Sequence, residues 1–200
     1  LIPAAGYLLT AKPAAYEANL YTVDENKICA DTLTKTDCAV GAENQSSKVL
    51  LMGDSHAAHL TPFIDMVGKQ EGFAADVISS NSCGVAFGFV LPQSDLRADR
   101  CNPYNRFIAQ KVENYPVVFI SQRWFLHTDK PGFTEHFGKM LDTLIQQGKQ
   151  VYVFADTPMN AQLPLRHYYL KQRLGLDMQY VSEHKKAEIA RSAEADKTIE

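Results

Sequence analysis

Four short apolar runs, at residues 48–52, 73–78, 116–120 and 151–155, constrain this chain more than any other feature. Apart from Lys48 and Asp76, each is apolar instead of alternating with polar residues, the pattern of a strand buried on both faces. Between them lie stretches of helical spacing. From 56 to 69 the apolar positions Leu60, Phe63, Ile64 and Val67 recur on one face, and Gly72 ends the helix. A second helix is expected over 103–114, with Phe107, Ile108 and Val112 inward, and a third over 133–147, stopped by Gly148. Strands alternating with helices predict an α/β protein, a three-layer α/β/α sandwich around a central parallel sheet of the flavodoxin-like kind. Residues 79–100 read as loop. Residues 1–47 lack periodicity and read as a linker or lead-in, with the domain proper at 48–200. Weaker helical patterns follow at 166–174 and 182–200.

Sheets of this kind hold ligands beyond the carboxyl ends of their strands. Those ends fall at 53–56, 79–84, 121–124 and 156–160. The first reads Gly53-Asp54-Ser55-His56. A serine hydroxyl attacks only when a base takes its proton and donors receive the oxyanion. At a strand-to-helix turn, the serine's own N–H lies where partial positive charge favours that oxyanion. Gly53 lets the backbone turn, and Asp54 can brace it by accepting backbone hydrogen bonds. Ser55 is thus the candidate nucleophile; the bland alternative makes it an ordinary N-cap. The run is not the Gly-x-Ser-x-Gly elbow of the α/β-hydrolases, because Ala57 replaces the second glycine.

Two hundred residues suffice for one domain with a sizeable core, and a net charge of −3 gives no case for nucleic acid. No apolar run is long enough to cross a bilayer. The opening residues lack an initiator Met and the basic start of a signal peptide, so a longer protein carrying the export signal or anchor is expected. Four cysteines, at 29, 38, 83 and 101, permit three pairings. Each local pair brackets a loop-like stretch, so Cys29–Cys38 and Cys83–Cys101 disulfides are expected, and with them an oxidising compartment. The rivals are a zinc site, weakened by the lack of a Cys-x-x-Cys pair, and four free thiols.

The run 48–60, Lys-Val-Leu-Leu-Met-Gly-Asp-Ser-His-Ala-Ala-His-Leu, resembles the first block of the SGNH (GDSL-like) hydrolases. With the cysteine pair before it, Cys83 and Cys101 after the second strand, and Val117-Val118-Phe119-Ile120-Ser121-Gln122-Arg123-Trp124, it is similar to the periplasmic SGNH domain of acyltransferase-3 membrane proteins. Those proteins O-acetylate bacterial surface polysaccharides. The resemblance covers roughly residues 29 to 160. It implies that Ser55 is the nucleophile and an oxyanion donor, with Gly84 standing in for the family's second donor. Gln122-Arg123-Trp124 stands where the wider family has Gly-x-Asn. The family's Asp-x-x-His, which supplies the base, occurs nowhere in the 200 residues. It is expected beyond Glu200, and residues 1–200 alone are expected to be nearly inactive.

The resemblance implies O-acyl transfer, to a glycan acceptor, of a group delivered by a fused membrane acyltransferase domain, on the extracytoplasmic side of the inner membrane. No cofactor or metal is implied. An esterase of the same fold shares the first half-reaction. A metallophosphoesterase would use Asp54 and His56 as metal ligands, but its further Asp, Asn and His clusters are missing. A non-catalytic glycan-binding domain is the third reading. Among other residues, His56 and Trp124 are substrate-site candidates, Trp124 as a platform or as cover for the core edge. His59 reads as a half-buried structural histidine or a local base. His127, His136, His167 and His184 read as solvent-facing, and 166–169 as a groove or helix surface.

Overall fold

The computed structural model describes residues 29–31, 33, 38–156, 190–195 and 197. Its framework is a six-stranded sheet. Strand β1 is Cys29–Ala30, β2 Ala39–Gly41, β3 Val49–Gly53, β4 Ala74–Ser79, β5 Val117–Ser121 and β6 Gln150–Phe154. The main path runs β1-β4-β3-β5-β6, all parallel, and β2 pairs antiparallel with β4. The expected parallel α/β sandwich is therefore present.

The reason is visible in β3, whose five residues are all buried. Leu50 and Met52 join one core with Val118 and Ile120 of β5, while Val49 and Leu51 join the other with Ala75 and Val77 of β4. A strand with two apolar faces needs a helical layer on each. Helices α1 (Ser55–His59) and α2 (Thr61–Glu71) supply Ala57 and Ile64 to the smaller core. Helices α3 (Ala98–Lys111), α4 (Trp124–Thr128) and α5 (Phe133–Gln146) line the larger one with Tyr104, Ile108, Trp124, Phe133, Phe137, Met140 and Leu144.

Three local expectations need correction. The first helix is broken in two at Leu60, because Pro62 has no N–H to give the Ala58 carbonyl; the Thr61 hydroxyl donates to that oxygen instead, at 2.7 Å. The second begins at Ala98, so Pro103 lies inside it instead of opening it. The third correction concerns residues 1–47, read as a lead-in. Two strands of the sheet lie there: β1 pairs with Ile78 and Ser79, and β2 with Ala74, Ala75 and Asp76. Strands of two and three residues carry no periodicity to read, and their place is set by the edge of β4 and by the disulfide between Cys29 and Cys38. The second disulfide joins Cys83 to Cys101, so both expected pairings are present. The 166–174 pattern lies outside the described residues; of 182–200, residues 190–195 and 197 are helical.

Candidate active site

Across the sheet the central strands lie in the order β4-β3-β5-β6, so the chain leaves β3 toward one edge and returns to the other side at β5. The crevice between the carboxyl ends of β3 and β5 is thus the topological switch point, where open α/β sheets bind ligands. Gly53 and Ser121 are register partners at that level. Gly53 has φ +150°, and a Cβ there would lie 1.8 Å from the Ser121 carbonyl oxygen, so only glycine fits. Beneath the turn, the buried Tyr104 hydroxyl accepts from the Gly53 N–H (3.2 Å). It shares its own hydrogen between the carbonyls of Gly53 (2.7 Å) and Ile78 (2.9 Å). Burial pushes this hydroxyl's pKa well up, keeping it a donor.

Asp54, not Ser55, caps α1. Its Oδ1 accepts from the His56 N–H at 2.8 Å. Its Oδ2 accepts from the Arg123 N–H at 3.0 Å and faces His127 Nε2 at 2.9 Å. Burial alone would raise this carboxyl. The hydrogen bond and charge of His127, with the N–H groups of His56 and Arg123, outweigh that and hold it below the ordinary aspartate range. An ionised carboxylate only accepts, so Nε2 of His127 carries the hydrogen. Capping by Asp54 leaves Ser55 as the first helical residue, half-buried, its hydroxyl without a hydrogen-bond partner among the described residues.

His56 follows, its side chain 14 % exposed and its Nδ1 3.3 Å from Asp156 Oδ1, beyond the end of β6. The Ser192 hydroxyl donates to the other oxygen of Asp156 at 2.9 Å. Gly84 is buried, and a Cβ on it would meet the His127 ring at 2.6 Å and Phe133 at 2.8 Å. Asn105 donates to the Gly84 carbonyl (2.8 Å) and accepts from the Ala86 N–H (3.0 Å). The Val85 N–H donates to Gln122 Oε1 at 2.7 Å, which leaves the Gln122 amide hydrogens buried without an acceptor among the described residues.

Trp124 takes the second of its two readings, and three histidines differ from theirs. Trp124, a substrate-platform candidate, is fully buried; its Nε1–H donates to the Phe154 carbonyl at 2.7 Å and its ring packs edge-on against Phe137. It covers the core edge. His127, read as solvent-facing, is 1 % exposed and bonded to Asp54. Nothing local signalled this: α4 is a five-residue helix, and the partner lies 73 residues upstream. His136 is half-buried, its Nδ1 3.2 Å from the Phe87 carbonyl oxygen, and His59 is exposed, its ring 6.0 Å from that of His56. His167, His184 and 166–169 lie outside the described residues. Gln122 was marked from the sequence only as part of the run standing where the wider family has Gly-x-Asn, and Asp156 and Ser192 were not singled out. Asp156 stands at a strand end that was, and Ser192 has no pattern to mark it.

A metal bridging Asp54 and His56 would need carboxylate lone pairs that already accept from three donors. Among the described residues no cluster of three or more His, Cys, Asp or Glu is arranged to hold a metal, and no helix is long and apolar enough to cross a membrane. Residues 22–200 match the family model described as "SGNH domain (fused to AT3 domains)". A search of curated proteins finds no match.

Proposed function

Since the chain belongs to the SGNH domains found fused to AT3 domains, we propose that Ser55 is the nucleophile of an O-acyl transfer reaction. A role in acyl-transfer or esterase-type chemistry goes with the family. The finer reading is transfer of an acyl group, acetyl in the first instance, to a bacterial cell-surface polysaccharide. The observation that carries it is that Ser55 stands at the switch point with its hydroxyl uncommitted, because Asp54 has taken over the capping.

In this reading Ser55 Oγ attacks the carbonyl carbon of the donor ester, its proton passing to a base. The collapsing tetrahedral adduct expels the donor alcohol and leaves an acyl-serine. The glycan hydroxyl then attacks that ester and regenerates Ser55. The Ser55 and Gly84 N–H groups receive the oxyanion. Asp54 braces the turn and His56 contacts substrate, its ring oriented by Asp156. The fused membrane domain delivers the acyl group, and the site works on the extracytoplasmic face of the inner membrane. The two disulfides support an oxidising compartment. An esterase differs only in letting water take the acyl group.

The test uses the full-length protein. Ser55→Ala should abolish acyl transfer and labelling by a serine-reactive phosphonate while leaving the melting temperature within about 2 °C, as expected for a change that removes no folded-state contact. Transfer at the wild-type rate by Ser55→Ala would refute the proposal. Transfer to added polysaccharide, as opposed to release of free acetate, separates transferase from esterase.

A further inference from the structure

His127 occupies a place that the acyl-transfer reading does not use. Its ring lies between the two strand ends from which that reading draws its oxyanion donors. On the β3 side, Nε2–H donates to Asp54 Oδ2 at 2.9 Å, and Asp54 in turn holds the N–H of His56, next to Ser55. On the β4 side the same ring lies against Gly84 so closely that a Cβ there would come within 2.6 Å of Cγ and 2.7 Å of Nδ1. Behind it, the Phe133 ring is tilted 30° to the imidazole, with centroids 5.5 Å apart. At 1 % exposure the imidazole has no freedom to swing out.

We propose that His127 is a positioning residue, an imidazole strut that fixes the Ser55 turn relative to the Gly84 backbone. This inference rests on the Ser55 reading. Three properties suit a histidine to the task. Its Nε2–H donates to an ionised acceptor, the stronger kind of hydrogen bond. Its flat ring fills the gap over a residue with no side chain. Its Nε2 lies far enough from Cβ to reach Asp54 while the ring stays against Gly84. Oxyanion stabilisation depends on donors held at hydrogen-bond distance from where charge develops, and a displacement of about 1 Å costs on the order of a hundredfold in rate. His127 touches no substrate in this account; it acts through Asp54 and Gly84.

The experiment compares His127→Phe, which keeps a flat ring without the donor, with His127→Gln, whose amide nitrogen can reach the place of Nε2. Full-length variants are assayed for p-nitrophenyl acetate turnover, with Ser55→Ala in parallel. For His127→Phe we expect kcat to fall about 30-fold or more with KM changed less than about threefold, and for His127→Gln a return to within about fivefold of wild type. The phosphonate labelling rate at Ser55 should follow kcat. If His127→Phe fails to fold, His127→Asn, too short to reach Asp54, takes its place. A folded His127→Phe or His127→Asn within threefold of wild type overturns the proposal, as does equal loss in the Phe and Gln variants. Wild-type activity in Ser55→Ala overturns instead the nucleophile on which the inference stands. An inactive Ser55→Ala beside a fully active His127→Phe removes the strut alone.

Discussion

Replacing Asp54 by Asn keeps the size of the side chain and removes one acceptor oxygen and the charge. Asp54 accepts from His56 N, Arg123 N and His127 Nε2. The best orientation of an amide puts its oxygen where Oδ2 stands, keeping the bonds from Arg123 and His127, and turns its NH2 toward the His56 N–H. The α1 cap is then lost, at about 1 kcal/mol. The two surviving bonds fall from charge-assisted to neutral strength, about 1 kcal/mol each. Relief from burying a carboxylate offsets part of this, so the net loss should be about 2 kcal/mol. For a domain of this size that lowers the melting temperature by roughly 4–8 °C. The pH dependence identifies the cause. The folded pKa of Asp54 lies below its unfolded value. Its contribution is therefore present above the ordinary aspartate range and lost as pH falls through the folded value. The gap between wild type and Asp54→Asn, measured by denaturant unfolding, should be full at pH 7 and narrow below about pH 4. A gap under about 0.5 kcal/mol at pH 7, the size expected of a neutral surface change, would refute the reasoning. So would a gap unchanged from pH 7 to pH 3.

Reducing the Cys83–Cys101 bridge, or replacing both cysteines by serine, should destabilise the domain by about 3 kcal/mol, since the bond closes an 18-residue loop; melting with and without reductant measures it. Tyr104→Phe removes the acceptor that the hydroxyl offers the Gly53 N–H and the hydrogen that it shares between the carbonyls of Gly53 and Ile78, the first of which keeps the Ser80 N–H. It should cost about 1–3 kcal/mol by chemical denaturation. Because Gly53 starts the turn that carries Ser55, the proposed nucleophile, turnover of p-nitrophenyl acetate should fall as well.

The layered fold was legible in the chain because burial on both faces leaves a local mark. A short apolar run favours a buried strand, and each of the four runs became a strand, β3, β4, β5 and β6; β3 is buried throughout, whereas β6 is partly exposed along its length among the described residues. The turn at Gly53-Asp54-Ser55 was legible for the same reason, since it ends the first such run. Periodicity failed where the determinant was not periodic. The break at Leu60 comes from a proline and a threonine hydroxyl, and the two-residue β1 is held by pairing with β4 and a disulfide.

Residue chemistry at positions 53–56 thus marked Ser55 as a candidate, and the apolar runs placed it at the end of a buried strand. What each neighbour does there was decided by contacts across long stretches of chain. Asp54 became the cap because Arg123 and His127 converge on it from the far side of β5. Trp124 went into the core because its indole N–H found the Phe154 carbonyl, and His127 went with it because Gly84 left room for a ring. A side chain's partners 30 to 73 residues away leave no trace in local sequence. Only the sheet, by bringing the ends of β3, β4, β5 and β6 to one edge, determines which of them meet.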